Sequence, residues 1–292
     1  MKLSRRWFLT LMLLSACSTN SLSHSGTSIT IGTINDSQSA KTLQRYDRFR
    51  SYLKEKTRSL IDLEPVLNED KALERIRSKA WSLVFAPPGL AAIAISQYQY
   101  RPLFPLSGVQ NLRSAIVVRE DSPIQSLQAL SGKVFALGQP GSATDYYLPL
   151  FNLYGLTLSE LLISADPKET LEAIAQGKAA AGALSVAAFD TYRNQIESAK
   201  FRILFVDPHP IPFGALLLSP NAERADELRQ ILQQIDSVMA QEIGVVTNAA
   251  VPDYQYLISV VDRVRSIFPG DTEANASLLQ QKPIRLFKDT KT

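Results

Sequence analysis

The sequence predicts an α/β protein built as two lobes joined by a pair of crossover segments. Two observations along the chain lead there. From residue 29 onward short apolar runs alternate with amphipathic ones, and two extended, proline-bearing segments, near 103–114 and near 206–213, flank a central unit of about a hundred residues. The composition agrees: 45% hydrophobic and 20% charged residues, with 13 Gly and 16 Pro in 292 positions and no repeat, excludes a disordered, collagenous or coiled-coil chain. Paired crossovers put both ends of the chain in one lobe and its middle in the other, with a hinge between them that absorbs backbone rotation. The expected division is residues 29–109 with 210–292 as the first lobe and 110–209 as the second. Two unrelated domains in series is the competing reading of the same pattern.

Taken in order, Ile29 to Ile34 reads as a strand. Residues 42–56 read as a helix, because Leu43, Tyr46, Phe49 or Arg50, and Leu53 recur at three- and four-residue steps between charged residues. A strand at 60–67, a helix at 69–79 and a strand at 81–86 follow. Pro87-Pro88-Gly89 predicts a turn, since neither proline continues a strand ladder. A small-residue helix at 90–97 and an extended stretch to Ser107 complete the first unit. The second has strands at 115–118, 134–137, 160–164, 179–184 and 201–206, with helices at 143–154, 168–176 and 187–196. A strand at 214–218 leads to one long helix at 223–242, whose apolar stripe is Leu228, Ile231, Leu232, Ile235, Val238 and Met239. A last helix spans 253–267.

Residues 1–16 carry Lys2, Arg5 and Arg6, then the apolar run Trp7 to Leu14, too short to cross a bilayer and laid out as a secretory signal. Leu14-Ser15-Ala16-Cys17 resembles the lipobox of bacterial lipoproteins. The resemblance implies that Cys17, the single Cys of the chain, takes a diacylglycerol thioether and an acylated amine, enough acyl chain (palmitate among the usual acids) to hold a membrane. Ser4-Arg5-Arg6-Trp7-Phe8-Leu9 also resembles a twin-arginine export motif, so both export routes are open. Residues 17–28 read as a polar tether. The three signal-segment bases account for the formal charge of +3, and bases balance acids in the rest. That balance gives no footprint for nucleic acid.

Ala115-Ile116-Val117-Val118-Arg119-Glu120-Asp121-Ser122-Pro123, then Leu130-Ser131-Gly132-Lys133-Val134, then Gly141-Ser142-Ala143-Thr144 before Leu148-Pro149, resembles the phosphate, phosphite and phosphonate solute-binding proteins of ABC importers. The resemblance runs from about residue 29 to about 268. It implies a type II periplasmic-binding-protein fold, each lobe a mixed sheet flanked by helices, with a two-strand hinge. It also implies a small-molecule solute held between the lobes, an ABC permease as membrane partner, no cofactor, a monomer, and, with Cys17, an exported lipoprotein anchored to the membrane and facing the periplasm. A sensor or partner-binding lipoprotein on the same fold, with a degenerate site, is the alternative.

Of the family's Ser-Thr-Ser-Gly run, this chain has Ser142, Ala143, Thr144 and Asp145, so only Ser142 and Thr144 carry over. Read on its own, a Gly turn followed by hydroxyls at a helix start makes an anion site, while Ser142 with Asp145 three residues on also makes a capping box, in which the carboxylate occupies the helix end. Loops at the carboxyl ends of strands supply the remaining cleft candidates: Asn35, Asp36, Ser37, Gly89, Asp166 and Ser185. With Asp145 these include three acids and no base, which suits an amine-bearing or neutral solute better than a phosphate. The chain has two histidines, His24 in the tether and His209 on a crossover, and no nucleophile, metal or dinucleotide motif, so neither an enzyme nor a metal site is expected. Trp81, Tyr98 and Tyr100 could stack on a solute or fill the core.

Overall fold

The computed structural model of the chain describes residues 28–34, 40–268 and 282–287; Cys17, Asn35, Asp36 and Ser37 lie outside the described residues. The chain runs through β1 (Ser28–Ile34), α1 (Ala40–Thr57), β2 (Leu60–Val66), α2 (Glu69–Arg77), β3 (Leu83–Ala86), α3 (Pro88–Tyr98) and β4 (Arg101–Pro105). Next come β5 (Ser114–Arg119), β6 (Val134–Leu137), a π-helical turn (Ala143–Tyr147) continuing into α4 (Leu148–Asn152), β7 (Thr157–Leu158), β8 (Glu160–Ile163), α5 (Pro167–Ala175), β9 (Ala181–Ser185), α6 (Val186–Tyr192) and β10 (Phe201–Val206). β11 (Ala215–Leu218), α7 (Ala225–Leu232), α8 (Ser237–Ile243), α9 (Gln255–Ile267) and β12 (Ile284–Arg285) close it.

Two five-stranded mixed sheets result. The first has the order β2-β1-β3-β11-β4, with β1 parallel to β2 and β3 and β11 antiparallel to β3 and β4. The second, β10-β5-β9-β6-β8, repeats the plan: β6 is parallel to β8 and β9, and β5 is antiparallel to β9 and β10. In each sheet a crossover delivers one strand, β5 to the second and β11 to the first. β4, which holds Pro102 and Pro105, sits at the sheet's edge, where missing donors leave no gap in the ladder. β12 pairs with β7, so the end of the chain returns to the middle segment.

Each face of the first sheet has its own partner layer. Ile29, Ile31, Phe85 and Leu216 meet Tyr46, Phe49 and Leu53 of α1 and the stripe Leu228, Ile231, Leu232 and Met239 of α7 and α8. The opposite face meets α2 and α3. There Gly32 is required, because a Cβ on it would stand 2.0 Å from the indole of Trp81, which is fully buried and donates from Nε1 to Glu64 at 2.9 Å. The apolar cluster on that side continues without a break into the second lobe through Ile116, Phe135 and Tyr146, and α9 lays Leu257, Val260, Val261 and Val264 onto it against α3 and α4.

Three expected elements differ. Pro88 and Gly89 are not a turn but the first residues of α3, where proline's missing N–H would have no helical partner in any case. The expected helix over 223–242 is two helices, because Asp236 accepts from the Met239 amide at 2.7 Å and starts a new one; the break rotates Val238 out of the stripe, leaving it 55% exposed. Ser142 opens not a plain helix but a π turn, with the Tyr147 amide donating to the Ser142 carbonyl at 3.0 Å. Gly32→Ala is expected to cost about 2–3 kcal/mol of stability, seen as a lower urea midpoint with an unchanged m value, since either the indole or the strand has to move.

Candidate functional site

The two crossovers are stitched to each other at both ends. The Asp207 amide donates to the Ser114 carbonyl at 2.9 Å, Ile211 to Leu112 at 2.8 Å, and Leu106 to Gly214 at 2.8 Å. The first crossover is also held to the end of α8, where Ser107 donates to the Gly244 carbonyl at 2.8 Å and Arg45 Nε reaches the Glu242 carbonyl at 2.6 Å. Between these segments and the strand ends of the first lobe lies a cavity of about 410 Å³. Its walls include Thr33 at the end of β1, Arg45 and Tyr46 of α1, Glu69 at the start of α2, and Phe85 of β3. Tyr46 and Phe85 pack with ring centroids 5.0 Å apart, and burial raises the Tyr46 phenol while the Arg45 charge opposes the rise. Thr33 lines the cavity, and its buried hydroxyl meets no hydrogen-bond partner among the described residues.

Across from this cavity the carboxyl ends of β6 and β9 carry a polar rim. Ser142 Oγ accepts from the Asp145 amide at 3.2 Å and lies 3.4 Å from Thr144 Oγ1; Ser114 Oγ donates to the Thr144 carbonyl at 2.5 Å. The Asp145 carboxylate lies beside the Thr144 hydroxyl and the Ser185 backbone, both of which favour its charged form. Its Oδ1, shielded from solvent, meets no donor among the described residues. Burial outweighs their opposing influence and pushes the carboxyl up to about 6.

The structure thus brings Ser142, Thr144, Asp145 and Ser185 together on one rim, and none of them lines the cavity. Ser142 caps as the sequence allowed, but the return half of the capping box is missing: the Ser142 amide donates to the Gln139 carbonyl at 3.2 Å, which frees the Asp145 carboxylate to turn inward. Ser185 caps α6, accepting from Ala188 at 3.1 Å. Asp166 caps α5, accepting from the Glu169 amide at 2.8 Å, while the Glu169 carboxylate reaches back to the amide of Ala165, the residue before the cap, at 2.5 Å. Gly89 has a different part: a Cβ there would stand 1.9 Å from the Gly141 carbonyl, so the two lobes touch backbone to backbone. His209 stacks on Tyr256 at 4.0 Å and lies 3.1 Å from the buried Asp207, away from the cavity walls. Trp81 and Tyr100 are core. Thr33, Arg45, Tyr46 and Glu69 were not singled out from the sequence. The one signal for Thr33 is its place in the alternation Ile29, Ile31, Thr33, a hydroxyl where the strand's inner face is otherwise apolar.

Residues 31–253 match the family described as the periplasmic substrate-binding protein of the phosphonate ABC transporter. The chain belongs to this family. No curated protein matches it in a direct sequence comparison. Among solved structures it is similar to XAC2383 of Xanthomonas citri bound to chloride ion, with a TM-score of 0.66 and 21% identity over 82% of this chain and 99% of that one. It is similar also to a binding protein component of a phosphonate ABC transporter from Pseudomonas aeruginosa (TM-score 0.58, 16% identity, 87% and 94% covered) and to PhnD1 of Prochlorococcus marinus in complex with methylphosphonate (TM-score 0.58, 17% identity, 82% and 99% covered). These likenesses establish the type II periplasmic-binding-protein fold. The family consists of substrate-binding proteins, a non-enzymatic class, and its periplasmic character implies an extracytoplasmic location. Among the described residues no helix is long and apolar enough to cross a membrane.

A carboxyl raised above its ordinary value is still protonated in the native protein between about pH 4 and 6, where the unfolded chain has already ionised. Native stability therefore falls as pH climbs through that window and stays lower above it. Relative to wild type, Asp145→Asn is expected to gain about 1–2 kcal/mol in chemical denaturation at about pH 7.5, an advantage that fades to nothing near pH 4.

Proposed function

We propose that the protein is the lipid-anchored solute receptor of an ABC importer, taking a small polar solute into the cleft between its lobes and delivering it to a membrane permease without chemistry of its own. The observation that carries this reading is the cavity of about 410 Å³ held between the paired crossovers and the first sheet, with Thr33, Arg45 and Glu69 on its walls. Its size and its few polar groups in an otherwise apolar lining suit a small ligand. In this reading residues 29–109 with 210–292 and residues 110–209 rotate about the crossovers, and Cys17 holds the receptor beside its permease.

A second reading, a sensor or partner-binding lipoprotein on the same fold, is favoured by the apolar cluster that already runs through both lobes. Thermal-shift titration with phosphate, phosphite, methylphosphonate and a panel of amines separates the two. A receptor gains about 2.7 kcal/mol at a solute concentration a hundred times its dissociation constant, whereas the sensor reading expects no shift with any of them. For the anchor, Cys17→Ser should move the protein from the membrane fraction to the soluble one; retention in the membrane would remove the lipid from the proposal.

A further inference from the structure

The rim of the second lobe carries a specificity argument that rests on the receptor reading above. β6 and β9 are neighbours, and their carboxyl ends form the edge at which open α/β sheets take ligands. A helix start in that position ordinarily offers its free amides and hydroxyls to an oxyanion. Here an internal anion, the Asp145 carboxylate, already stands at that helix start, beside Ser142, which accepts from the Asp145 amide at 3.2 Å, and Thr144. No basic side chain figures among the groups that set its charge. Its Oδ1, cut off from solvent and without a donor among the described residues, lacks the partner that buried polar atoms almost always have. What is missing is a donor.

We propose that Asp145 sets the charge of the solute: its carboxylate stands where an oxyanion would be held, so the second lobe accepts an ammonium, guanidinium or other hydrogen-bond donor group and turns phosphate and phosphonates away. A second anion brought within about 4 Å of a poorly solvated carboxylate loses two orders of magnitude in affinity or more. A donor in the same place completes the bonding of Oδ1. Ser142, whose Oγ lies 3.4 Å from Thr144 Oγ1, is placed to accept from the same donor group.

The test is isothermal titration of the purified full-length protein and of Asp145→Asn and Asp145→Gly with methylphosphonate and inorganic phosphate, alongside ethanolamine, putrescine and arginine. Circular dichroism of each variant checks that it is folded, and two substitutions of different size keep the comparison open if one is not. The expected result is no oxyanion binding by wild type, oxyanion affinity at least about a hundredfold higher in both variants, and loss of any amine binding that wild type shows. Equal oxyanion affinity in all three proteins, strong or weak, overturns the role of Asp145. If wild type then still binds one of the amines, or carries a solute in its native mass spectrum, the receptor reading stands without it; if no protein binds or carries any solute, both readings fall.

Discussion

Everything about the cleft depends on the contact between Gly89 and Gly141. At this point the first turn of α3 in one lobe meets the loop after β6 in the other so closely that a Cβ on Gly89 would stand 1.9 Å from the Gly141 carbonyl oxygen. Gly141, at φ +107°, adopts a backbone conformation that side chains disfavour, and a Cβ on it would stand 2.5 Å from that of Glu69. Two glycines are therefore the condition for the lobes to close to backbone distance. Closure at that seam is what lets one apolar cluster run from Trp81 and Leu90 to Phe135 and Tyr146, and what leaves the cavity behind it, on the hinge side. In the proposed receptor, opening would separate this seam by rotation about the two crossovers. α9, packed on both α3 and α4, has to slide or to stay with one of them.

Much of this architecture was legible in the chain because each element carries its own periodic signal. The three-and-four spacing of Tyr46, Phe49 and Leu53 gives α1, and the apolar tetrads of β6, β9 and β11 give strands. What could not be read locally was set by competition at single residues. Asp236 lies within the apolar stripe of 223–242, and nothing in the pattern says that its carboxylate will cap a new helix rather than face solvent. Pro88 looks like a turn residue until the strand before it is known to end at Ala86, after which its fixed φ suits the first turn of a helix. The pairing of β12 with β7 joins two-residue strands far apart in sequence, too short for any alternation to announce.

The site was legible in one lobe and opaque in the other for a related reason. Hydroxyls and carboxylates at strand ends are as good at capping helices as at holding ligands, and Ser142, Asp166 and Ser185 all cap. A sequence cannot divide one oxygen between those duties. It did show that Asp145 replaces a glycine of the family's run. Only the structure shows that the carboxylate leaves the capping box half made and turns toward Thr144 and Ser185. The cavity walls of the other lobe gave no such signal, because Arg45 and Tyr46 lie on α1 among residues that read as an ordinary amphipathic helix, and it is the fold that brings Thr33, Phe85 and Gly244 around them.

A solute closes two lobes only by as much as it binds the closed form better than the open one. In the proposed receptor, the packing of α9 on α3 and α4 would already favour a closed form, so a solute would need to supply only part of the closing free energy. The closed form would also carry a burden, the Asp145 Oδ1 that is buried with no donor among the described residues. The two features oppose each other: apolar contact favours the closed seam, and the desolvated carboxylate disfavours it. On the proposed reading a donor group delivered to Asp145 would remove the second without touching the first, and in that way a weakly held small molecule would shift the balance between open and closed lobes well beyond what its own contact area would provide.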